Sequence, residues 1–198
     1  MGKGQGLSEI MKKFNISKTA KTPISTGVTA LPKEIDWRSK GAVTPVKNQG
    51  NCYKCSPFFS AVESIEGNLF LKSKRLIPLS VQEIVDCGWH ARYPNGYSDE
   101  SWYETVGWDL ILLLRGLESE ETYPYHGMKK KGDRCHYDLV NFDNPIVTYV
   151  TGVKYALGEY QTAELLQEGP LANGINARAR SFQFYSKGMY VHVQITLG

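Results

Sequence analysis

The sequence predicts an α+β fold, because its helical patterns come early in the chain and its strand-like segments come late. The chain has 198 residues, of which 41% are hydrophobic and 22% are charged. This balance suits one globular domain with a core and excludes disordered and collagen-like chains. Because the two element types are segregated along the chain, two subdomains are favoured over an alternating α/β sheet.

The first helix is predicted directly after Cys55 and is expected to run to about residue 72. Pro57 lies in its first turn, where a missing N–H costs little. Apolar side chains stack on one face of this helix because they recur at spacings of four, three and four: Phe58, Val62, Ile65 and Leu69. Two further helices are expected at residues 102–115 and 161–168, each closed by a glycine.

Strand-like segments occupy the later part of the chain. Residues 145–155 and 189–197 are rich in Val, Ile, Thr and Tyr, which are typical of strands. A further strand is expected at residues 171–177. Residues 1–30 are instead rich in Lys, Ser, Thr and Gly with little periodicity. We interpret this stretch as a leader or linker that precedes a folded domain at residues 31–198.

Charge and hydropathy exclude several partner classes. The chain has 23 basic and 20 acidic residues and thus a net charge of +3. This charge is too small to indicate a nucleic-acid partner. The longest apolar run, residues 110–114, is far shorter than the roughly 20 residues that a membrane span needs. The N-terminus lacks the apolar core of a secretory signal, so any targeting segment is expected to be missing. Four cysteines and an Asn15-Ile16-Ser17 sequon hint at the secretory pathway.

Cys55 is the candidate nucleophile, because it lies where a helix begins. The positive end of a helix macrodipole favours thiolate there, but a contribution of about 0.3–1 kcal/mol lowers a thiol pKa by less than roughly one unit. A stable thiolate therefore needs a nearby imidazolium. Of the four histidines, His90, His126, His136 and His192, only His192 stands in a strand-like run.

Several ordered blocks of the sequence resemble the papain-like cysteine peptidases, in particular the cathepsin L and cathepsin F group. The resemblance covers nearly all of residues 31–198. The blocks are DWR at 36–38, GAVTPVKNQG at 41–50, SVQEIVDC at 80–87, EETYPY at 120–125, EGP at 168–170 and SFQFYSKG at 181–188. The resemblance implies a papain-like fold with a helical left lobe and a β-rich right lobe, and makes residues 1–30 a propeptide remnant or linker.

The resemblance also assigns catalytic roles. It makes Cys55 the nucleophile, His192 the general base and Gln49 an oxyanion donor beside the Cys55 backbone N–H. The implied activity is that of an endopeptidase without cofactor or metal, acting on peptide or protein substrates through an acyl-enzyme. Cystatin-type inhibitors, a monomeric state and a lysosomal or secreted location are implied as well.

The sequence departs from the family pattern in the substrate-binding turn. The turn implied to line the cleft consists of Asn95, Gly96 and Tyr97, and Tyr97 replaces a glycine, which narrows the subsites. Pro94 replaces the cysteine that pairs with the position of Cys52 in relatives.

A second departure concerns the C-terminal end and the remaining cysteines. The family's Asn-Ser-Trp-Gly block has no counterpart before Gly198, so the right lobe is expected to be incomplete. A catalytically silent or truncated homologue that binds peptides or inhibitors without turnover is therefore the alternative.

In relatives the positions of Cys87 and Cys135 form a disulfide. Cys52 is then either a free thiol or a partner for Cys55, and the second state would block the nucleophile.

Two other kinds of cysteine site share this sequence pattern, a structural zinc site and a redox motif. Cys52-x-x-Cys55 and Cys87-x-x-His90 are compatible with a structural zinc site of three thiolates and one imidazole, although the intervening stretch is long for a zinc finger. A thioredoxin-like redox motif is weaker, because no strand–helix–strand unit surrounds the pair. Without the resemblance, Cys55 would most simply be a buried structural thiol.

Overall fold

A computed structural model describes residues 21–23, 30–52, 55–92, 104–127, 135, 145–175, 177 and 180–187. In chain order its elements are β1 (Lys21–Pro23), α1 (Ser56–Ser73), α2 (Gln82–Arg92), α3 (Glu104–Leu114), β2 (Gly116–Leu117), β3 (Thr148–Tyr149), β4 (Val153–Tyr155), α4 (Glu159–Leu165) and α5 (Arg180–Gln183). The three long helices α1, α2 and α3 come first, and β3 and β4 follow these three. In the described part of the chain, no helix is both long and apolar enough to traverse a lipid bilayer.

Helix α1 matches the helix predicted after Cys55. Cys55 is its N-cap, and a proline occupies the first turn. The helix ends where Lys74 adopts a left-handed conformation, with φ of 61°, and its N–H donates to Phe70 O at 2.8 Å. This reversal satisfies a carbonyl that would otherwise lack a partner at the helix end.

The core lies where α1, α2 and α3 pack together. The predicted apolar face of α1 contributes Phe58, which is fully buried, and α3 contributes Ile111. A side-chain carbon at Gly107 would come within 3.2 Å of the Phe58 ring, so the glycine permits close approach of α1 and α3. Burial of such large apolar side chains supplies the main favourable term in folding.

Helix α2 was not predicted by apolar periodicity. Its buried face is partly polar, because Gln82 and Glu83 are fully buried and Asp86 is nearly so. Other segments provide their hydrogen bonds: His126 N and Gly127 N donate to Gln82 Oε1 at 3.0 and 3.2 Å. Burial of polar side chains is tolerated when such partners are present.

The strands form two small sheets. β2 and β3 are antiparallel, with Gly116 opposite Tyr149, while β1 and β4 are parallel, with Lys21 opposite Val153. Gly116 is required at this crossing, because a side-chain carbon there would overlap the backbone of β3. A three-residue strand from the stretch interpreted as a leader or linker is thus hydrogen-bonded to β4.

The strand predictions met different outcomes. The segment 145–155 contains β3 and β4, as expected. The strand predicted at 171–177 is wrong over its described residues, none of which belongs to a strand. This segment lies against α1 instead, where Asn173 N donates to Ser60 Oγ at 3.2 Å. The segment 189–197 lies outside the described residues.

Candidate active site

Cys55 lies at the N-terminal end of α1, as the sequence predicts. Its backbone conformation, φ −85° and ψ −8°, already follows the helix. Its carbonyl accepts hydrogen bonds from Phe58 N at 2.9 Å and Phe59 N at 3.2 Å. The side chain is 0% exposed. The sulfur therefore stands at the positive end of the helix, shielded from solvent.

Cys55 is disulfide-bonded to Cys52, with their Cα atoms 5.4 Å apart. Cys52 is also fully buried. Of the two states that the sequence left open for Cys52, a free thiol or a partner for Cys55, the structure contains the second. Cys55 carries no thiol in this state, and the thiolate expected from the sequence would exist only after reduction.

Two N–H donors beside Cys55 converge on one oxygen, the carbonyl oxygen of Cys52. Gln49 Nε2 donates to it at 2.9 Å, and Cys55 N donates to it at 3.2 Å. The turn that allows this includes Gly50 in a left-handed conformation, with φ of 56°, and Gly50 N donates to Asn48 Oδ1 at 2.8 Å. The family resemblance implies an oxyanion role for the same two donors.

Tyr125 connects this loop to α1 and was missed as a candidate site residue. Its hydroxyl donates to Gln49 O at 2.8 Å, and its ring packs edge-to-face on Phe59, with ring centroids 5.0 Å apart. Tyr125 N donates to Glu120 Oε1 at 2.7 Å. Burial raises the pKa of Glu120 and of Tyr125. The EETYPY block contains Tyr125, but nothing local to it indicates a contact 76 residues away.

An ion pair between a buried carboxylate and a partly buried ammonium attaches the start of the same loop to α1. Glu66 is fully buried, and its Oε2 accepts hydrogen bonds from Lys47 Nζ at 2.7 Å and Thr44 Oγ1 at 2.6 Å. Its Oε1 accepts one from Leu79 N at 2.7 Å. Both carboxylate oxygens thus have partners, which is the condition under which a buried charge is tolerated.

A second disulfide joins Cys87 to Cys135, with their Cα atoms 4.5 Å apart and a sequence separation of 48. All four cysteines of the chain are therefore in disulfide bonds. The zinc alternative requires Cys52, Cys55 and Cys87 as thiolates, so it is incompatible with this bonding pattern.

Of the histidines, His126 lies beside the carboxylate of Asp86. His126 Nε2 lies 4.0 Å from Asp86 Oδ2, which also accepts a hydrogen bond from Tyr123 OH at 3.0 Å. The remaining candidate residues lie outside the described ranges: His192, Asn95, Gly96 and Tyr97.

Comparison with known proteins decides the family. Residues 31–197 match the family described as papain family cysteine protease. This chain belongs to the papain family. Cathepsin S of Mus musculus is 38% identical over 162 residues, and procathepsin L of Felis catus is 33% identical over 187 residues. A digestive cysteine proteinase of Homarus americanus is 36% identical over 172 residues.

A solved papain-family structure supports the same fold. Digestive procathepsin L 3 of the Tenebrio molitor larval midgut superposes with a TM-score of 0.59 and 28% sequence identity, covering 81% of this chain and 50% of that one. The prediction of an α+β, papain-like fold is therefore confirmed. The chain spans about half the length of its curated relatives, 45% of cathepsin S and 53% of procathepsin L.

Proposed function

We propose that this chain is a cysteine-type endopeptidase that hydrolyses peptide bonds through Cys55, His192 and Gln49. Membership of the papain family supports cysteine peptidase chemistry in general. The observation that carries the residue assignment is the convergence of Gln49 Nε2 and Cys55 N on a single oxygen. Two N–H donors aimed at one point beside a sulfur are what an oxyanion hole requires.

The nucleophile needs two sources of positive charge. The N-terminus of α1 supplies one, an interaction that favours an anion by about 0.3–1 kcal/mol. An imidazolium at His192 supplies the other in our proposal, as the resemblance implies. Burial of the sulfur opposes both, because desolvation disfavours a thiolate. The proposal therefore depends on His192 more than on the helix.

The proposed reaction proceeds in two steps. The Cys55 thiolate attacks the peptide carbonyl carbon, and the carbonyl oxygen gains negative charge that Gln49 Nε2–H and Cys55 N–H stabilise. The His192 imidazolium then protonates the leaving amine as the C–N bond breaks, which leaves a thioester. Water, deprotonated by His192, hydrolyses the thioester and releases the acid.

The remaining parts of the proposal concern substrates and setting. Peptide or protein substrates are proposed to bind along Asn95, Gly96 and Tyr97, where the Tyr97 side chain restricts the subsites. Residues 31–198 form the peptidase domain, and residues 1–30 are a propeptide remnant or linker. Cystatin-type inhibitors, a monomeric state and a lysosomal or secreted location follow from the family resemblance.

A second candidate function is a catalytically silent homologue that binds peptides or inhibitors. The observation that favours it is the bonded, fully buried sulfur of Cys55. A disulfide sulfur cannot attack a carbonyl as a thiolate does. This alternative and the peptidase differ in whether the reduced chain turns substrate over.

The test uses a dipeptidyl fluorogenic substrate with the reduced chain. Hydrolysis is expected, and Cys55→Ser should abolish it. Gln49→Ala should lower kcat by about 10²–10³-fold with a smaller change in KM, as loss of an oxyanion donor does. Gln183→Ala is the matched control, because it removes the side chain of an exposed glutamine outside this loop.

Three outcomes separate the hypotheses. Hydrolysis that requires Cys55 and responds to Gln49→Ala supports the peptidase. Hydrolysis that persists in Cys55→Ser contradicts the assignment of the nucleophile. A reduced chain that binds a peptide aldehyde weakly, or an inhibitor, but hydrolyses nothing supports the silent homologue.

A further inference from the structure

Gln49 lies in a loop that no regular secondary structure holds in place. Residues 47–52, the Gln49 loop, belong to neither a helix nor a strand. Cys55 N, in contrast, lies at the N-terminal end of α1. The proposed oxyanion hole needs Gln49 Nε2 and Cys55 N to converge on one point, as they do on the Cys52 carbonyl oxygen at 2.9 and 3.2 Å. A contact from elsewhere in the fold must therefore keep the Gln49 loop aligned with α1.

Tyr125 makes such a contact at Gln49 itself. Its hydroxyl donates to Gln49 O at 2.8 Å, and Cys52 N donates to the same oxygen at 3.2 Å. The Tyr125 ring packs edge-to-face on Phe59, with ring centroids 5.0 Å apart. Phe59 N donates to Cys55 O at 3.2 Å, so these two residues are one helical turn apart. Tyr125 thus links the backbone of Gln49 to the turn of α1 that begins at Cys55.

We propose that Tyr125 is a positioning residue for peptide hydrolysis, whose hydrogen bond to Gln49 O keeps Gln49 Nε2 aligned with Cys55 N. The inference rests on the proposed peptidase function, because Gln49 is a donor in that proposal. In this role Tyr125 acts on the substrate only through Gln49. Oxyanion donors are effective because they are already in place before charge develops, and a misplacement of about 1 Å lowers a rate by up to about 100-fold.

The backbone around Tyr125 is itself held by hydrogen bonds. Tyr125 N donates to Glu120 Oε1 at 2.7 Å. The next two residues are held by α2, because His126 N and Gly127 N donate to Gln82 Oε1 at 3.0 and 3.2 Å. Gln82 is fully buried. A side chain that positions another group needs such a fixed support, and Tyr125 has one on both sides.

A second contact between this segment and the Gln49 loop does not involve the Tyr125 hydroxyl. Gly127 has a left-handed conformation with φ of 81°, and a side-chain carbon there would come within 2.6 Å of Asn51 Oδ1. The glycine therefore lets the segment lie directly against the loop. Because this contact remains when the hydroxyl is removed, we expect the loop to shift locally and the fold to persist.

The hydroxyl of Tyr125 stays protonated at neutral pH. Burial, and to a smaller extent the charge of Glu120, raise the pKa of Tyr125 above its ordinary value near 10. A tyrosine that kept no proton could not donate to a carbonyl oxygen. The hydrogen bond to Gln49 O is therefore available throughout the neutral pH range.

The test compares Tyr125→Phe with the unaltered chain, both reduced, on the dipeptidyl fluorogenic substrate. Phenylalanine keeps the ring that packs on Phe59 and removes only the hydroxyl. We expect kcat to fall about 10-fold with little change in KM, because a displaced donor still gives part of the stabilisation that its deletion would remove. The rate at which iodoacetamide alkylates Cys55 should stay the same, since this displacement of iodide forms no oxyanion.

A double-mutant cycle shows whether Tyr125 acts through Gln49. In the Gln49→Ala background the donor is already absent, so adding Tyr125→Phe should lower kcat no further. A purely structural role would lower kcat by a similar factor in both backgrounds. Tyr123→Phe is the matched control, because its hydroxyl donates to Asp86 Oδ2 at 3.0 Å and not to the Gln49 loop. This control should leave kcat nearly unchanged.

Nuclear magnetic resonance of the Gln49 side-chain amide measures the alignment without turnover. The Gln49 resonances are identified in the ¹⁵N-labelled, reduced chain as those that Gln49→Ala removes. Tyr125→Phe should shift them and speed their exchange with water, because the hydrogen bond of Gln49 Nε2 to Cys52 O is weakened. Tyr123→Phe should leave them in place.

The outcomes separate this inference from the proposed function. In a chain that hydrolyses the substrate, a kcat that Tyr125→Phe leaves unchanged, or lowers equally in both backgrounds, overturns the role of Tyr125. In a chain that hydrolyses nothing, unshifted Gln49 amide resonances in Tyr125→Phe overturn it. Shifted resonances in such a chain support the alignment by Tyr125 and overturn only the peptidase.

Discussion

Glu83 gives the fold a pH dependence that a single substitution should remove. Its side chain lies in the first turn of α2 and is fully buried. Its Oε2 accepts a hydrogen bond from Glu118 N at 2.9 Å, whereas Oε1 has no hydrogen-bond partner among the described residues. The pKa of Glu83 is raised to about 8, chiefly by burial. The hydrogen bond from Glu118 N lowers this pKa, and the charge of Glu118 raises it.

The free-energy cost follows from the difference between the folded and unfolded pKa values. The unfolded chain releases this proton near its ordinary pKa of 4.5, whereas the folded chain keeps it until about pH 8. Between these values the folded state binds one more proton, so stability falls by about 1.4 kcal/mol for each pH unit. At pH 7 the loss amounts to about 3 kcal/mol.

Glu83→Gln should abolish this dependence. Glutamine keeps an oxygen for the Glu118 N–H and carries no charge at any pH, so it resembles the protonated acid. Its additional buried N–H costs about 1 kcal/mol. The variant is therefore expected to be about 2 kcal/mol more stable than the original chain at pH 7, and slightly less stable near pH 5.

Urea unfolding followed by tryptophan fluorescence, at intervals from pH 5 to pH 8 with both disulfides intact, measures this difference. Glu121→Gln is the control, because Glu121 is exposed. The difference between Glu83→Gln and the original chain should grow steadily with pH, whereas the control difference should stay small. A Glu83→Gln curve parallel to that of the original chain would refute a protonated, buried Glu83.

Three further variants test the contacts that stabilise the fold. Glu66→Ala should lower the free energy of unfolding by about 3–5 kcal/mol in urea titrations, because it breaks the buried ion pair with Lys47. Gly116→Ala should lower the thermal midpoint by roughly 4–8 °C, because its methyl overlaps the paired strand and costs about 2 kcal/mol; an unchanged midpoint would contradict the close approach. Joint replacement of Cys87 and Cys135 by alanine should cost roughly 4 kcal/mol, the chain-entropy value for a 48-residue separation, and reduction of the original chain under strong dithiol should reproduce that loss.

Local patterns predicted the helices better than the strands. The apolar spacing after Cys55 gives α1, because residues three and four apart share a helix face whatever surrounds them. Apolar spacing did not predict helix α2, because its buried face includes Gln82 and Glu83. These polar side chains are tolerated there because they accept hydrogen bonds from distant segments. The strand predicted at 171–177 was wrong because the segment holds a single β-branched residue, Ile175, together with a glycine and two asparagines, which are depleted in strands.

For the candidate site, residue types and their order were enough to indicate the family and to propose a nucleophile at Cys55 and a donor at Gln49. Tertiary structure alone decided that Cys55 is bonded to Cys52, that Gln49 Nε2 and Cys55 N both donate to the Cys52 carbonyl, and that Tyr125 contacts the loop. The reason is physical: side-chain chemistry and helix periodicity are local properties, whereas a disulfide or a hydrogen bond depends on distances in space.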